Sequence, residues 1–352
     1  MKTIRLNIVI LLLFLIPGVA MAGIVRGKYT KEKKINKSFS VNSTAGLTVS
    51  NKYGNIYITT WDEDKTAIDV VITVSGNDED EVNKRLNSID VDFNATAALV
   101  NAKTLIGNFK GKRISMEINY TIKIPKRGTL GLANQYGGIM LGKINGGVNI
   151  NCQYGSLDIE ELNAENNNID IQYCSTSKIG YIRAGNFKAQ YSNINIAKTG
   201  KLILNADYTP FRVGIAEDIN YKVDYGDIKI DSGDKINGAS NYTVVRVGRV
   251  SNVINLTSNY GDISITNLEK SAKNVAINTS YGSASVKYDA DATFDFEFYL
   301  DYAGLSGKDG LKFTEKTEKN TSSHYKGYYR SSGGTRIYIK SEYGGITLRK
   351  GE

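Results

Sequence analysis

The sequence predicts an all-β protein that folds as a single-stranded, right-handed parallel β-helix with a small N-terminal cap of strands and one helix. Three observations predict this solenoid. A motif of about twenty residues recurs along the chain, apolar residues alternate within each copy, and a coil this short buries its apolar face only by stacking on others. Right-handed winding is expected because crossovers between parallel strands almost always have that hand.

Tyrosine marks the same position in each copy of the motif. Successive tyrosines of the regular series are 17 to 21 residues apart, which is a typical solenoid period. The series consists of Tyr136, Tyr154, Tyr173, Tyr191, Tyr208, Tyr225, Tyr242, Tyr260, Tyr281 and Tyr302. Outlying copies at Tyr53 and Tyr343 carry the same kinds of flanking residues.

The alternation of apolar residues assigns these tyrosines to the core. In one copy, Leu204 and Ala206 share the parity of Tyr208, and after each tyrosine the parity slips by one residue. This pattern predicts two short strands joined by a corner just after the tyrosine, at a position that is always small. We therefore expect a ladder of buried tyrosine rings, spaced ~4.8 Å apart, rather than an exposed sugar-binding stripe.

The first residues resemble a secretory signal peptide, predicted over 1–22. Lys2 and Arg5 precede an apolar run, and an Ala-Met-Ala cleavage site ends the stretch. We expect an exported protein of the periplasm, outer surface or medium, with no transmembrane segment in the mature chain. Removing the signal lowers the formal charge from +8 to +6, and no basic block predicts a nucleic-acid partner.

Residues 23–128 are predicted to form an N-terminal strand and cap region. The polar, basic stretch 23–45 is expected to be a loosely held arm. Alternation predicts long strands over 68–74 and 114–124, and capping and acidic residues predict a short helix over 79–88. Together these elements would cover the open end of the solenoid and protect its strand edges.

Residues 129–352 are predicted to contain the β-helix repeats. The strand from Phe294 to Tyr302 has a bulkier apolar side than the isoleucine-rich coils before it. A polar insertion at about 312–334 is expected to be a mobile loop or hairpin. A final strand over 337–343 would close the stack.

The repeats resemble those of a known family. An I-x-I-P strand end at Ile122 to Pro125 and many G-x-I-x-I repeats accompany the signal peptide and the helix. This combination resembles the bacterial β-strand-repeat family of candidate adhesins, a domain of unknown function. The resemblance covers about residues 45–350. It implies a right-handed β-helix at the cell envelope and supplies no catalytic residues.

One group of charged residues is a candidate binding site on the protein surface. Two of its aspartates fall on adjacent rungs just before the tyrosine, and its three basic residues fall on successive rungs four positions after it. Like charges on neighbouring strands repel unless they are paired or hydrated. The group is either a set of mutually compensating charges or a groove for an acidic or hydroxyl-rich glycan. Its members are Asp207, Asp224, Asp227, Arg212, Lys229 and Arg246.

Other residues point away from catalysis. The only histidine, His324, is expected to be a solvated loop residue, and one histidine cannot build a multi-histidine metal site. Cys152 and Cys174 occupy different positions of the motif and are expected to be small core residues rather than a disulfide. No cofactor and no metal are expected.

These patterns favour a non-catalytic, exported cell-envelope protein that serves as an adhesin-like binding or structural scaffold. Its partner would be a cell-surface glycan or an envelope protein, and the sequence leaves its oligomeric state open. One alternative is a β-helix polysaccharide-degrading enzyme, a lyase or hydrolase, that uses the charged group. Another is a self-assembling envelope rod joined end to end.

Overall fold

The computed structural model describes residues 27–111 and 113–351, so the predicted signal peptide lies outside the described residues. This part of the chain is mostly β and forms one long, largely parallel sheet of 26 strands. None of the helices within the described ranges is long and apolar enough to cross a membrane.

The elements fall into three groups along the chain. The first group is β1 (Tyr29–Ser40), β2 (Gly46–Lys52), β3 (Ile56–Trp61), β4 (Lys65–Gly76), α1 (Glu79–Asn87), β5 (Ile89–Ala95), β6 (Leu99–Ile106) and β7 (Ser115–Pro125). The second is β8 (Leu130–Gln135), β9 (Gly138–Ile144), β10 (Val148–Gln153), β11 (Ser156–Leu162), β12 (Asn167–Gln172), β13 (Thr176–Gln190), β14 (Asn193–Asp207), β15 (Phe211–Asp224), β16 (Asp227–Asn241), β17 (Val244–Asn259), β18 (Ile263–Leu268), β19 (Asn274–Ser280) and β20 (Ala284–Tyr288). The third is β21 (Phe294–Asp301), β22 (Gly304–Ser306), β23 (Leu311–Glu318), β24 (Ser322–Tyr329), β25 (Thr335–Glu342) and β26 (Gly345–Lys350).

Each coil of the chain has one strand before its tyrosine and one strand after it. The strands before the tyrosines pair in parallel from coil to coil, as β8, β10 and β12 do, and form the first face. The strands after the tyrosines, such as β9 and β11, pair in the same way and form the second face. From β13 to β17 the second-face strand of one coil continues without a break into the first-face strand of the next.

Isoleucine, leucine and valine side chains from both faces fill the space between them. One inward rung of the second face shows the regularity, because every position in it is apolar and buried. It runs through Ile159, Ile179, Ile196, Val213, Ile230, Val247, Ile265 and Val286. The coil after Tyr173 keeps this register by holding one extra residue, with Ser177 buried beside Ile194.

The corner lies at the tyrosine itself, and this corrects the predicted corner. All twelve motif tyrosines have φ between 48° and 61°, the left-handed conformation. A residue with a positive φ does not continue the inward–outward alternation of a strand. Extending the alternation of the preceding strand to the tyrosine therefore assigns its ring to the wrong side of the sheet. The tyrosine side chains are 39% to 57% exposed, and the prediction that they are buried is wrong.

The predicted ladder of stacked tyrosines is confirmed, except that Tyr343 stacks between Tyr281 and Tyr302. Neighbouring ring centroids are 4.7 to 5.2 Å apart and the ring planes differ by 1° to 13°. Both faces of each inner ring are therefore covered by the neighbouring rings, and the ring exposes its edge and hydroxyl group. The order in the stack is Tyr53, Tyr136, Tyr154, Tyr173, Tyr191, Tyr208, Tyr225, Tyr242, Tyr260, Tyr281, Tyr343 and Tyr302.

The small residue after each tyrosine is required by close packing between coils. A Cβ on Gly137 would lie 1.9 Å from the carbonyl oxygen of Gly54 in the neighbouring coil. Where the position is not glycine, a side-chain hydroxyl can replace backbone contacts. Thr209, for example, donates to the carbonyl of Asp207 at 2.8 Å and accepts from the amide of Ser192 at 3.1 Å.

The N-terminal end differs from the predicted loose arm. β1 pairs antiparallel with β4 along its whole length, and β4 pairs antiparallel with β7. The predicted helix is α1, whose N-cap, Asp78, accepts from the amide of Glu81 at 3.0 Å. Val82 of this helix is buried against the strands.

One coil at each end stacks out of sequence order. Near the N-terminal end, β2 lies between β6 and β8, and β3 lies between β7 and β9. Near the C-terminal end, β25 lies between β19 and β21, and β26 lies between β20 and β22. The prediction that the final strand, 337–343, closes the stack is therefore wrong. The polar insertion is the antiparallel hairpin β23–β24, which continues the first face beyond β21.

Candidate functional site

The structure places the charged candidates on the predicted rungs. Asp207 pairs with Asp224 on the first face. Arg212, Lys229 and Arg246 pair in succession on the second face. The tyrosine corner separates the two sets along the chain. No hydrogen bond or ion pair among the described residues joins either of these two aspartates to the three basic residues.

Local partners compensate three of these six charges. Asp227 forms an ion pair with Arg246, and Lys229 contacts Asp231 at 3.0 Å. Asp224 accepts from the side-chain amide of Asn241 at 2.6 Å. Because exposed pairs of this kind mainly balance one another, this geometry favours compensating surface charges over a glycan groove.

A different surface brings chemically diverse side chains together. Strands β24, β21 and β25 lie side by side at the C-terminal end of the first face. Their outward positions form a grid of three rows, which we name the C-terminal grid. The rows are Tyr328–Asp295–Arg336, Lys326–Glu297–Tyr338 and His324–Tyr299–Lys340.

Glu297 is the centre of the C-terminal grid. Its Oε1 accepts from the hydroxyl of Tyr299 at 2.8 Å and lies 3.3 Å from Nε2 of His324. The Tyr299 and His324 rings stack with centroids 4.3 Å apart. His324 is thus a half-buried strand residue, and the prediction of a solvated loop residue is wrong.

These contacts set the ionisation of the grid. The hydrogen bond from Tyr299 lowers the pKa of Glu297, and His324 and Lys326 act in the same direction. The same hydrogen bond raises the pKa of Tyr299, because the carboxylate disfavours a phenolate beside it. Glu297 is therefore a fixed, ionised hydrogen-bond acceptor near neutral pH, not a proton donor.

Two cavities flank this central contact. One, of about 340 Å³, is lined by Tyr299, Thr317, Lys319, His324, Lys340 and Glu342, among others. The second, of about 320 Å³, is lined by Asp295, Glu297, Lys326, Tyr328, Arg336 and Tyr338, among others. Aromatic side chains with a few convergent polar groups are typical of ligand-binding clefts.

Sequence reasoning missed the grid because its strands do not lie side by side in chain order and one of them is antiparallel. Tyr299 and His324, for instance, are neighbours only through the pairing of β21 with β24. A signal was present in the strand from Phe294, where Asp295, Glu297 and Tyr299 alternate with buried phenylalanines.

Two other groups complete the chemical inventory. Cys152 and Cys174 are buried with free thiols, and Sγ of Cys174 lies 3.3 Å from the carbonyl oxygen of Cys152. Their burial agrees with the prediction of small core residues. Across residues 27–111 and 113–351, no three His, Cys, Asp or Glu side chains are grouped so that they could hold a metal ion.

Several solved structures are similar along most of their length. A candidate adhesin from Parabacteroides distasonis ATCC 8503 is 10% identical, with 91% of this chain and 97% of that chain covered and a TM-score of 0.32. A candidate adhesin from Parabacteroides merdae ATCC 43184 is also 10% identical, with 93% and 99% covered and a TM-score of 0.30. A candidate cell adhesion protein from Clostridium sporogenes ATCC 15579 is 12% identical, with 91% and 100% covered and a TM-score of 0.20.

A search of curated proteins finds no match to this chain. The family model described as Toastrack DUF4097 matches residues 25–349, which includes nearly all of the strands described above. The chain therefore belongs to the Toastrack DUF4097 family.

Proposed function

We propose that this protein is a non-catalytic, adhesin-like binding scaffold of the cell envelope, exported to the periplasm, outer surface or medium. In this proposal residues 1–22 are removed, 23–128 form the cap region and 129–352 form the repeats. The coils wind right-handedly, as the general rule for parallel crossovers favours. The observation that carries the binding role is the pair of cavities at the C-terminal grid, one lined by Tyr299 and His324 and the other by Glu297.

The chemistry of the C-terminal grid suits a hydroxyl-rich ligand such as a cell-surface glycan. Tyr338 and Tyr328 offer half-buried aromatic surface, on which the apolar face of a sugar ring can pack. Glu297 accepts hydrogen bonds, and Lys326 and Lys340 donate them. Such a combination binds a neutral or weakly acidic sugar without requiring any group to gain or lose a proton.

A glycan array tests the binding role directly. The purified chain should bind one class of glycan, and Tyr338→Ala should weaken that binding at least tenfold because it removes an aromatic wall of the cavity. Lys229→Ala, in the charged group on the second face, is the control and should bind like the parent chain. Equal binding by both variants would show that the C-terminal grid is not the site.

A product assay on the same glycans separates the scaffold from the enzyme alternative. The scaffold should release no product from any glycan that it binds. Turnover that Asp224→Asn abolishes would overturn the proposal and assign a polysaccharide-degrading enzyme to the charged group. An absence of binding, together with end-to-end filaments in electron micrographs, would instead favour the self-assembling rod.

A further inference from the structure

The tyrosine ladder leaves a long aromatic surface exposed. We define the tyrosine ridge as the exposed edges of the twelve stacked rings, from Tyr53 at one end to Tyr302 at the other. A tyrosine presents ~150–250 Å² of surface, so about half of twelve such residues amounts to roughly 1,200 Å² of ring edge and hydroxyl group together. A continuous aromatic surface of this size is unusual for an ordinary monomer, on which large exposed patches usually mark interaction sites.

We propose that the tyrosine ridge pairs with the ridge of a second copy of this chain, in an antiparallel arrangement. A standard protein interface buries about 800 Å² on each partner, which the ridge can supply. The ring spacing of 4.7 to 5.2 Å continues over eleven steps. A partner that matches this spacing along the whole ridge must itself be a stack of strands, and a second copy matches it by symmetry.

Ring geometry also argues against a sugar as the occupant of the ridge. Stacking on a sugar ring requires an open aromatic face, but each inner ring is covered on both faces by its neighbours. Only the terminal rings, Tyr53 and Tyr302, each have one face without a ladder partner. The ridge therefore offers ring edges and hydroxyl groups, which suit contact with another row of the same groups.

The charges beside the ridge favour the antiparallel orientation. The residue before each tyrosine forms a column that borders the ridge, and this column begins at Lys52 and ends at Glu342 and Asp301. Between them it runs through Gln135, Gln153, Gln172, Gln190, Asp207, Asp224, Asn241, Asn259 and Ser280. The first half thus carries a lysine and amides, and all the acids lie in the second half or at the centre.

A two-fold axis perpendicular to the ridge makes the contact self-complementary. This axis places the column of one chain opposite the same column of its partner in reverse order. Lys52 then faces Asp301, twice in the dimer, and Gln135 faces Glu342. At the centre Asp207 faces Asp224, and each of these carboxylates has an amide donor, from Gln190 and Asn241 respectively.

A parallel pair would lose this complementarity. In a parallel pair, the residue before each tyrosine would face the residue two positions after the equivalent tyrosine of the partner chain. Aspartates meet in both orientations, Asp207 with Asp224 in the antiparallel pair and Asp224 with Asp227 in the parallel pair, so the centre does not decide between them. The ends do, because in the parallel pair Lys52 would face Asn55 rather than an acid. The charge pattern therefore selects the antiparallel pair, in which the two C-terminal grids lie at opposite ends.

Sedimentation equilibrium of the purified chain over a range of concentrations tests the pairing. The parent chain should be a dimer at high concentration. Tyr208→Asn combined with Tyr225→Asn should weaken association at least tenfold, because asparagine tolerates the positive φ but removes the central rings. Ile215→Ser, which removes an equally exposed apolar side chain away from the ridge, is the matched control and should leave the dimer intact.

A charge swap tests the orientation. Lys52→Glu alone and Asp301→Lys alone should each weaken the dimer, and the two together should restore it, because the pair is re-formed with reversed charges. Circular dichroism should show that every variant keeps its strands. A parent chain that stays monomeric, a dimer that survives the tyrosine changes, or a swap that fails to restore association would each overturn the proposal.

Discussion

Each inner tyrosine of the ladder combines an unfavourable backbone conformation with two favourable ring contacts. The left-handed conformation costs about 1–2 kcal/mol for a residue other than glycine. An aromatic pair contributes about 0.5–1.5 kcal/mol beyond its buried area. Each contact is shared by two rings, so the ladder has eleven stacking contacts for twelve strained residues. Stacking therefore offsets part of the backbone cost, which helps to explain why tyrosine is tolerated at a corner that would suit glycine.

A substitution series at Tyr225 tests this balance. Tyr225→Phe should change the free energy of unfolding little, since the ring contacts remain. Tyr225→Ala should cost about 2–3 kcal/mol, because it loses two stacking contacts and keeps a strained backbone. Tyr225→Gly should cost less than Tyr225→Ala by about 1 kcal/mol, because glycine accepts the positive φ. Urea unfolding monitored by circular dichroism measures the series.

The order of the glycine and alanine variants is the decisive result. If Tyr225→Gly were the more destabilised of the two, the positive φ would not decide the difference and the strain argument would fail. Lys229→Ala is the control on the same coil and should lie within about 0.5 kcal/mol of the parent chain, as surface changes usually do.

At the level of single residues, the sequence predicts spacing better than direction. The recurrence of tyrosine predicts which rings stack from Tyr136 to Tyr281, where coils stack in sequence order, but not that Tyr343 lies between Tyr281 and Tyr302. It does not predict that the ring of Tyr208 points outward, because the φ of one corner residue decides this. The partners of Glu297 are also beyond a sequence argument, since they depend on which strands meet at the end of the stack.

Neighbouring strands in the middle of the stack are fitted to each other by size. The buried ring of Tyr221 on β15 lies over Gly238 on β16, and a Cβ on that glycine would be 1.9 Å from Cζ of the ring. The rungs on either side hold Leu204 and Leu256. The glycine therefore provides the space that the large ring of the preceding coil needs.

Gly238→Ala should therefore destabilise the chain by about 1–3 kcal/mol, as overpacking of a core usually does. In a chain that already carries Tyr221→Leu, Gly238→Ala should be neutral or stabilising relative to Tyr221→Leu alone, because the smaller side chain frees the space. Thermal unfolding of the four chains in this cycle gives the coupling between the two positions.

Gly304→Ala is the matched control, since no atom lies within 4 Å of the added Cβ. It should change the unfolding temperature little. A cost for Gly238→Ala that persists in the Tyr221→Leu background would mean that the glycine is needed for its backbone and not for the ring.

Elements with a strong internal pattern are predicted from sequence, and elements defined by a distant partner are not. The alternation in 68–74 and 114–124 predicts β4 and β7, and the capping residues predict α1. The stretch 29–40 is too polar to suggest a core strand, and it is ordered by pairing with β4. The hairpin β23–β24 is likewise ordered by β21, which it follows in the stack.

The molecule as a whole should be sensitive to alkali. Burial raises the pKa of Tyr120 to about 12 and that of Tyr288 to about 12, and burial also raises the pKa of Tyr221. An unfolded tyrosine ionises near pH ~10. The stability that depends on these neutral phenols is thus complete below pH ~10 and is lost as the pH rises towards 12.

Absorbance of phenolate and circular dichroism, followed together from pH ~9 to ~12.5, should show the last phenolates appearing as the strands unfold. Tyr288→Phe should make the loss of stability with pH less steep, because one raised pKa is removed. Complete ionisation of all tyrosines near pH ~10 in a chain that keeps its strands would contradict the expected role of burial.

The out-of-order coils at the two ends have a consequence for how the number of coils can change. Adding or deleting a coil at the end of the sequence would disrupt the pairing of β25 and β26, which lie between strands made earlier in the chain. In the middle, from β8 to β20, coils that follow each other in sequence are adjacent in the stack, so a whole coil can be duplicated there without changing the strand pairing at either end. The number of coils in the stack is therefore free to vary between its two ends, while the strand pairing at each end has to be kept as a unit. Since chains emerge from the ribosome N-terminus first, one edge of β19 and one edge of β20 stay unpaired until β25 and β26 have been made. A chain that ends before β25 leaves these two edges without their partners.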